Sequence, residues 1–184
     1  MDPGLASADA AESAVLVPVP EAEPAVGGHR AMLDPAAGRG VPAHVTVLYP
    51  FVAPALLTPA IVAALAAAVR SVASFGCELA ATRWFGERVL WLEPVPGDRF
   101  RALTAAVMAA VPGYLPYGGA YPDTVPHLTI GDQAGDGAAA LRAAETDIRR
   151  HLPIRARITQ AWLMTGTTAP GSWQVAAELP LAAC

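Results

Sequence analysis

The sequence predicts an α+β fold in which two pseudo-symmetric lobes, each an antiparallel sheet with outer helices, face each other across a central cleft. Three observations lead there. The chain has 184 residues, the size of one ordinary domain and too few for two. Hydrophobic residues supply 54% of it and charged residues 15%, well under the ~25% charged share of an average soluble protein, so there is ample material for a core. And one pattern occurs twice: a strand carrying His-x-Thr, a helix, then two strands, with the two histidines 83 positions apart. Residues 1–12 read as a flexible tail and 13–184 as one two-lobed domain.

The elements follow from local chemistry. Ser13 to Pro20 is valine-rich and apolar, a strand whose prolines place it at an edge. Glu21 to Leu33 has the pattern of a short helix weakened by Gly27 and Gly28. The stretch 34–42 (DPAAGRGVP) reads as loop, and His44 to Phe51 as a strand. Thr58 before Pro59 is an N-cap followed by proline at the first helical position, opening an alanine-rich helix to about Val72. Strands over about 75–84 and 88–93 flank a turn at Gly86. A helix from Asp98 to Ala110 stops at Pro112-Gly113. Residues 113–124 form a loop rich in glycine, proline and tyrosine, followed by a strand from Val125 to Ile130. Asp136 caps a helix running to Arg150, whose Arg149, Arg150 and His151 suit its negative end. Ile154 to Thr165 and Trp173 to Leu179 complete the pattern as strands.

Composition excludes much. All twelve basic residues are arginine. Without lysine there is no P-loop lysine, no Schiff base, no pyridoxal anchor and no lysine to carry adenylate. A net charge of −4 makes long duplex nucleic acid a poor partner. Cys77 and Cys184 stand alone with no ligand spacing around them, so neither a zinc site nor a disulfide framework is expected. Asp123, Asp132 and Asp136 gather near the second histidine motif, but metal binding is not the expected use of them, and no cofactor is expected. No apolar run approaches the ~20 residues of a membrane span, and the opening residues lack a basic, then apolar, leader pattern. The expectation is a soluble, cytoplasmic, monomeric protein. The abundance of Ala, Pro and Arg without Lys is the composition associated with a GC-rich bacterial genome.

The chemistry concentrates in two motifs, PAHVTV and VPHLTI. Strand side chains alternate, so His44 and Thr46 share one face while Val45 and Val47 point to the other. His127 and Thr129 relate in the same way to Leu128 and Ile130. Each motif thus offers one imidazole and one hydroxyl, backed by an apolar face. Two imidazoles with ordinary pKa values near 6.5 can act as a pair, one neutral as general base and one protonated as general acid. Threonine hydroxyls beside them can donate to the non-bridging oxygens of a phosphoryl centre. His29 and His151, on a helix and at a helix end, carry no such pattern. Of Tyr114, Tyr117 and Tyr121 in the loop before His127, Tyr117 is the candidate to stack on a base.

HVTVLYPF and PHLTIGD, about 80 residues apart by the same numbering, resemble the paired motifs of the two-histidine phosphoesterase superfamily, which includes bacterial 2′-5′ RNA ligases and 2′,3′-cyclic phosphodiesterases. The likeness runs from about Ser13 to Leu181, and PYGGAYPDTVPHLTI is similar to the lead-in of actinobacterial members. The resemblance implies His44 and His127 as the acid/base pair, Thr46 and Thr129 as phosphate-oxygen donors, and a two-lobed fold. It implies a metal-free phosphodiesterase that opens a 2′,3′-cyclic phosphate of a nucleotide or short RNA end to the 2′-monoester. The expected direction is His127 as base on water and His44 as acid to the departing oxygen. Any 2′-5′ ligation would run as the reverse of that cleavage. Two other readings stay open: a nucleotide- or RNA-binding protein without turnover, and a tailoring enzyme using the same pair on a non-nucleotide metabolite.

Overall fold

A computed structural model of the chain describes residues 11–120, 124–133 and 137–183. Its strands are β1 (Glu12–Pro18), β2 (His44–Leu48), β3 (Phe75–Phe85), β4 (Val89–Val95), β5 (Leu128–Asp132), β6 (Ile154–Ile158), β7 (Gln160–Gly166) and β8 (Gln174–Pro180). The helices are α1 (Glu23–Leu33), α2 (Pro35–Gly38), α3 (Pro59–Arg70), α4 (Gly97–Ala110) and α5 (Gly137–Ile148). The strands form two antiparallel four-stranded sheets, in the orders β2-β1-β7-β8 and β5-β4-β3-β6.

The halves of the chain exchange strands. β3 leaves the half that contains the first histidine motif and pairs with β4 and β6; β7 returns to pair with β1. Each sheet therefore holds one His-x-Thr strand from one half and a strand from the other, and both His-x-Thr strands lie at sheet edges. These edges, β2 and β5, approach one another between the lobes. The stretch 154–165, expected as one strand, is two: it passes through Thr159 from one sheet to the other, pairing with β3 before that point and with β1 and β8 after it. The alternation of IRARITQAWLMT runs on without a breaker, so nothing local marks the change of sheet.

Local chemistry accounts for most boundaries. The Thr58 hydroxyl accepts from the Ile61 amide at 3.3 Å and caps α3 as expected. Gly86 turns the β3–β4 hairpin at φ +58°, a conformation glycine adopts without steric cost. The stretch expected as loop after Leu33 holds a short helix instead: the Asp34 carboxylate accepts from the Ala36 amide at 2.9 Å, and Pro35 at the first position starts α2. α5 begins within the expected range and passes into a 3-10 turn at Arg149–His151; Asp136, its expected cap, lies outside the described residues. So do residues 1–10 of the expected tail, while Glu12 opens β1.

The core is continuous between the lobes. Val45, Val47, Leu128 and Ile130, the outward halves of the two motifs, are all at most 2% exposed and belong to one cluster with Leu65, Phe100, Leu103 and Leu141 from the helices. Gly131 lets β5 sit close under α1 and α5: a Cβ there would fall 2.6 Å from the Leu141 side chain and 2.7 Å from Leu33 Cβ. A second cluster, Ala14, Leu16, Val41, Met164 and Trp173, packs on the cleft side of the first sheet.

Candidate active site

Between the lobes lies a cleft of about 690 Å³, and His44, Thr46, His127 and Thr129 all line it. β2 begins at His44, and β5 begins one residue after His127. Alternation along the strands turns the imidazole and hydroxyl of each motif inward and leaves the apolar residues behind.

The two imidazoles are held identically. His44 Nδ1 lies 2.7 Å from the Pro42 carbonyl, and His127 Nδ1 lies 2.7 Å from the Val125 carbonyl. A carbonyl oxygen can only accept, so both Nδ1 atoms donate, and in each neutral ring Nε2 is the atom left with a free lone pair. The upstream proline-containing dipeptides thus fix tautomer and orientation twice over.

Their surroundings differ. His44 is pushed down from 6.5 to about 4, first by burial, then by the positive charge of Arg30; the Pro42 carbonyl and Asp34 oppose the shift, and His127 adds slightly to it. His127 is also lowered, by burial, with the Val125 carbonyl opposing. Aromatic rings enclose it. Phe85 meets it edge-on with centroids 5.0 Å apart, Trp91 at 5.9 Å, and Tyr117 lies nearly parallel at 6.4 Å. Tyr117 holds a left-handed backbone at φ +53°, which costs a non-glycine residue roughly 1–2 kcal/mol; its amide donates to the Tyr49 carbonyl at 2.6 Å. Tyr117 is thereby brought into the cleft, whereas Tyr114 packs on Phe51. Tyr121 and Asp123 lie outside the described residues.

Arg30 of α1 joins the two motifs and was not singled out from sequence. It is 2% exposed. Its Nη2 donates to Asp34 at 2.8 Å, its Nε to the Thr129 carbonyl at 3.1 Å, and both Nη atoms to the Val41 carbonyl at 3.3 Å. One guanidinium therefore ties the lead-in of β2 to the middle of β5. Glu23, on the same helix, accepts from the Ala43 amide at 2.6 Å beside His44. The Arg30–Asp34 spacing of four was a visible signal, but the same spacing marks ordinary solvated helix pairs. Phe85 and Trp91 carried no signal as neighbours of His127, since strand pairing alone brings them there.

The remaining candidates have structural partners. His29 Nε2 lies 3.0 Å from Asp147, linking α1 to α5. Asp132 is engaged by Arg88. Cys77 is buried, and burial pushes its thiol up to about 11. Among the described residues no group of three His, Cys, Asp or Glu side chains is placed to hold a metal ion, and no helix is long and apolar enough to cross a membrane.

Two lobes exchanging strands, with a His-x-Thr motif on the inner edge of each, define a protein of the two-histidine phosphoesterase class. Residues 18–169 match the family model of the 2′-5′ RNA ligase superfamily, and the chain belongs to that family. Solved structures share the fold. Escherichia coli LigT superposes with a TM-score of 0.59 at 18% identity, covering 95% of this chain and 99% of LigT. TT0787 of Thermus thermophilus superposes at 0.63 with 17% identity, covering 94% and 98%. LigT has also been crystallised with NADP+ and with 3′-AMP. No curated protein matches the chain by sequence.

Proposed function

We propose that the cleft opens a 2′,3′-cyclic phosphate, of a nucleotide or a short RNA end, to the 2′-monoester by two-histidine acid/base catalysis. The observation that carries this reading is the pair of Nδ1–carbonyl bonds, which leaves two Nε2 atoms for the cleft with a threonine hydroxyl beside each. One Nε2 takes a proton from the attacking water. As the new P–O bond forms, the bond to the 3′ oxygen breaks, and that oxygen receives the proton of the other imidazolium. The two hydroxyls donate to the non-bridging oxygens as charge builds on them. Both proton carriers and both donors come from this chain, so the reaction needs no metal. LigT complexes with 3′-AMP and with the dinucleotide NADP+ support a nucleotide occupant.

The environments support a reading of the roles opposite to the direction expected from sequence. Arg30 behind His44 makes it the harder ring to protonate, which suits a base. His127 is lowered by burial, with the Val125 carbonyl opposing, and a bound phosphate would favour its charged form, which suits an acid. The test is a ³¹P NMR assay over a panel of 2′,3′-cyclic nucleotides and short RNAs ending in a cyclic phosphate, with and without EDTA. Conversion to a 2′-monoester in both conditions is the expected result. Loss of turnover in EDTA and rescue by one divalent ion would refute the mechanism, and tight binding without turnover would make the protein a binding module.

A further inference from the structure

The cleft carries one charge that the histidine chemistry does not use. Among the described residues, the ionisable side chains lining it besides the imidazoles and the phenols of Tyr49 and Tyr117 are Asp34, Asp132 and Arg39. Asp34 is taken up by Arg30 and the Ala36 amide, and Asp132 by Arg88. Arg39 remains. It is half-buried, and its guanidinium has no hydrogen-bond or ion-pair partner among the described residues. A cation partly withdrawn from water without a counter-ion is unfavourable until an anion arrives.

Its base is anchored. The Arg39 amide donates to the Ala36 carbonyl at 3.1 Å, and its carbonyl accepts from the Trp173 amide at 2.9 Å, so the side chain springs from a fixed point where α2 meets the wall of the first lobe. Trp173, tied to the Arg39 carbonyl, packs edge-on against Tyr49 with ring centroids 6.3 Å apart, so Arg39 enters the cleft on the Tyr49 side, where the Tyr49 phenol donates to Glu12 at 2.9 Å.

We infer that Arg39 forms a second anion subsite, which receives a phosphate at the 5′ position of the nucleotide whose cyclic phosphate lies between the histidines. This rests on the phosphodiesterase reading above. A 2′,3′-cyclic phosphate occupies both secondary ribose hydroxyls, so a further phosphate on the same ribose sits at 5′. It is either a terminal monoester or the phosphodiester that joins an RNA end to the preceding residue. Guanidinium presents a planar fork that matches either.

Binding of product-like ligands tests the subsite without requiring turnover. Titration calorimetry would compare adenosine 2′-monophosphate, adenosine 2′,5′-bisphosphate and the dinucleotide ApA bearing a terminal 2′-phosphate, on the wild-type protein and on Arg39→Gln. The bisphosphate should bind the wild type about 10-fold or more tighter than the monophosphate, the scale of a charged hydrogen bond. In Arg39→Gln that ratio should fall to about one, with Arg39→Lys between. Dinucleotide binding at least as tight as the bisphosphate would assign the subsite to RNA ends, and weaker binding would assign it to free nucleotides. A wild-type ratio near one, or an equal loss for both mononucleotides in Arg39→Gln, would overturn the inference. Binding of none of the three ligands would instead refute the phosphodiesterase reading itself.

Discussion

Replacing Arg30 with methionine removes one guanidinium and strands several groups at once. The Asp34 carboxylate, 7% exposed, loses its cation, and the Val41 and Thr129 carbonyls lose their donor. Breaking a buried ion pair by deleting one partner costs about 3–5 kcal/mol. For a chain of this length each kcal/mol moves the melting temperature by about 2–4 °C, so Arg30→Met should melt roughly 6–20 °C lower. Adding Asp34→Asn removes the stranded charge and keeps an acceptor for the Ala36 amide, so the double variant should be more stable than Arg30→Met alone. Differential scanning calorimetry of the set reads this directly.

The same substitutions separate charge from geometry at the site. His44 is held low by burial and by Arg30 against the opposing Asp34. Without the cation its pKa should rise, and the acid limb of kcat/KM should move to higher pH with it. Arg30→Lys keeps the charge and loses the fork, so its acid limb should stay in place while kcat/KM falls through loosened motifs. A melting temperature within about 2 °C of wild type for Arg30→Met, or one acid limb shared by the Met and Lys variants, would refute the reasoning.

The remaining predictions concern the cleft itself. His44→Ala and His127→Ala should each lower kcat/KM about 10²–10⁴-fold in steady-state assays, with Thr46→Val and Thr129→Val costing less. Because both imidazoles are lowered from 6.5, His44 to about 4, kcat/KM should peak on the acid side of neutrality, and an optimum above pH 8 would contradict the pair. The depressed His44 also means that the unfolded chain protonates first, so thermal stability should fall as pH drops from about 6.5 toward 4. On bis(p-nitrophenyl) phosphate, whose leaving group needs no proton, His127→Ala should retain far more activity than His44→Ala; the reverse order would exchange acid and base. Tyr117→Ala should weaken nucleotide binding by the ~1–3 kcal/mol of a stacked base, read as KM with kcat nearly unchanged.

What the sequence made legible was whatever is written locally. Alternation around His44 and His127 is a property of a few adjacent residues, and it correctly separated the inward pairs His44/Thr46 and His127/Thr129 from their buried backs. Caps and breakers did the same for α3 and for the β3–β4 turn. What pairs with what is not local. A strand through Thr159 reads the same whether it stays in one sheet or crosses to another, and the exchange of β3 and β7 is decided by burial summed over both lobes. The duplication was visible for that reason, and the crossing of its two copies was not. The stretch after Leu33, read as loop, holds a helix of only four residues, too few to show a period.

The strand exchange also explains why the least convincing helix of the sequence is the one on which the site depends. Two adjacent glycines in α1 cost about 2 kcal/mol relative to alanine, and a helix of this length is marginal alone. Its stability must come from outside, and its partners are drawn from both copies of the repeat. Val26 and Leu33 enter the common core, Glu23 holds the Ala43 amide, Arg30 grips the carbonyls of Val41 and Thr129, and His29 meets Asp147 on α5. The contacts with Ala43 and Val41 hold α1 to the lead-in of β2, and those with Thr129 and Asp147 exist only where the second motif and α5 have been brought against the same helix. α1 and the facing of the two histidines are therefore one cooperative event: the helix is stable where both motifs are in place, and the motifs are fixed relative to each other where the helix has formed.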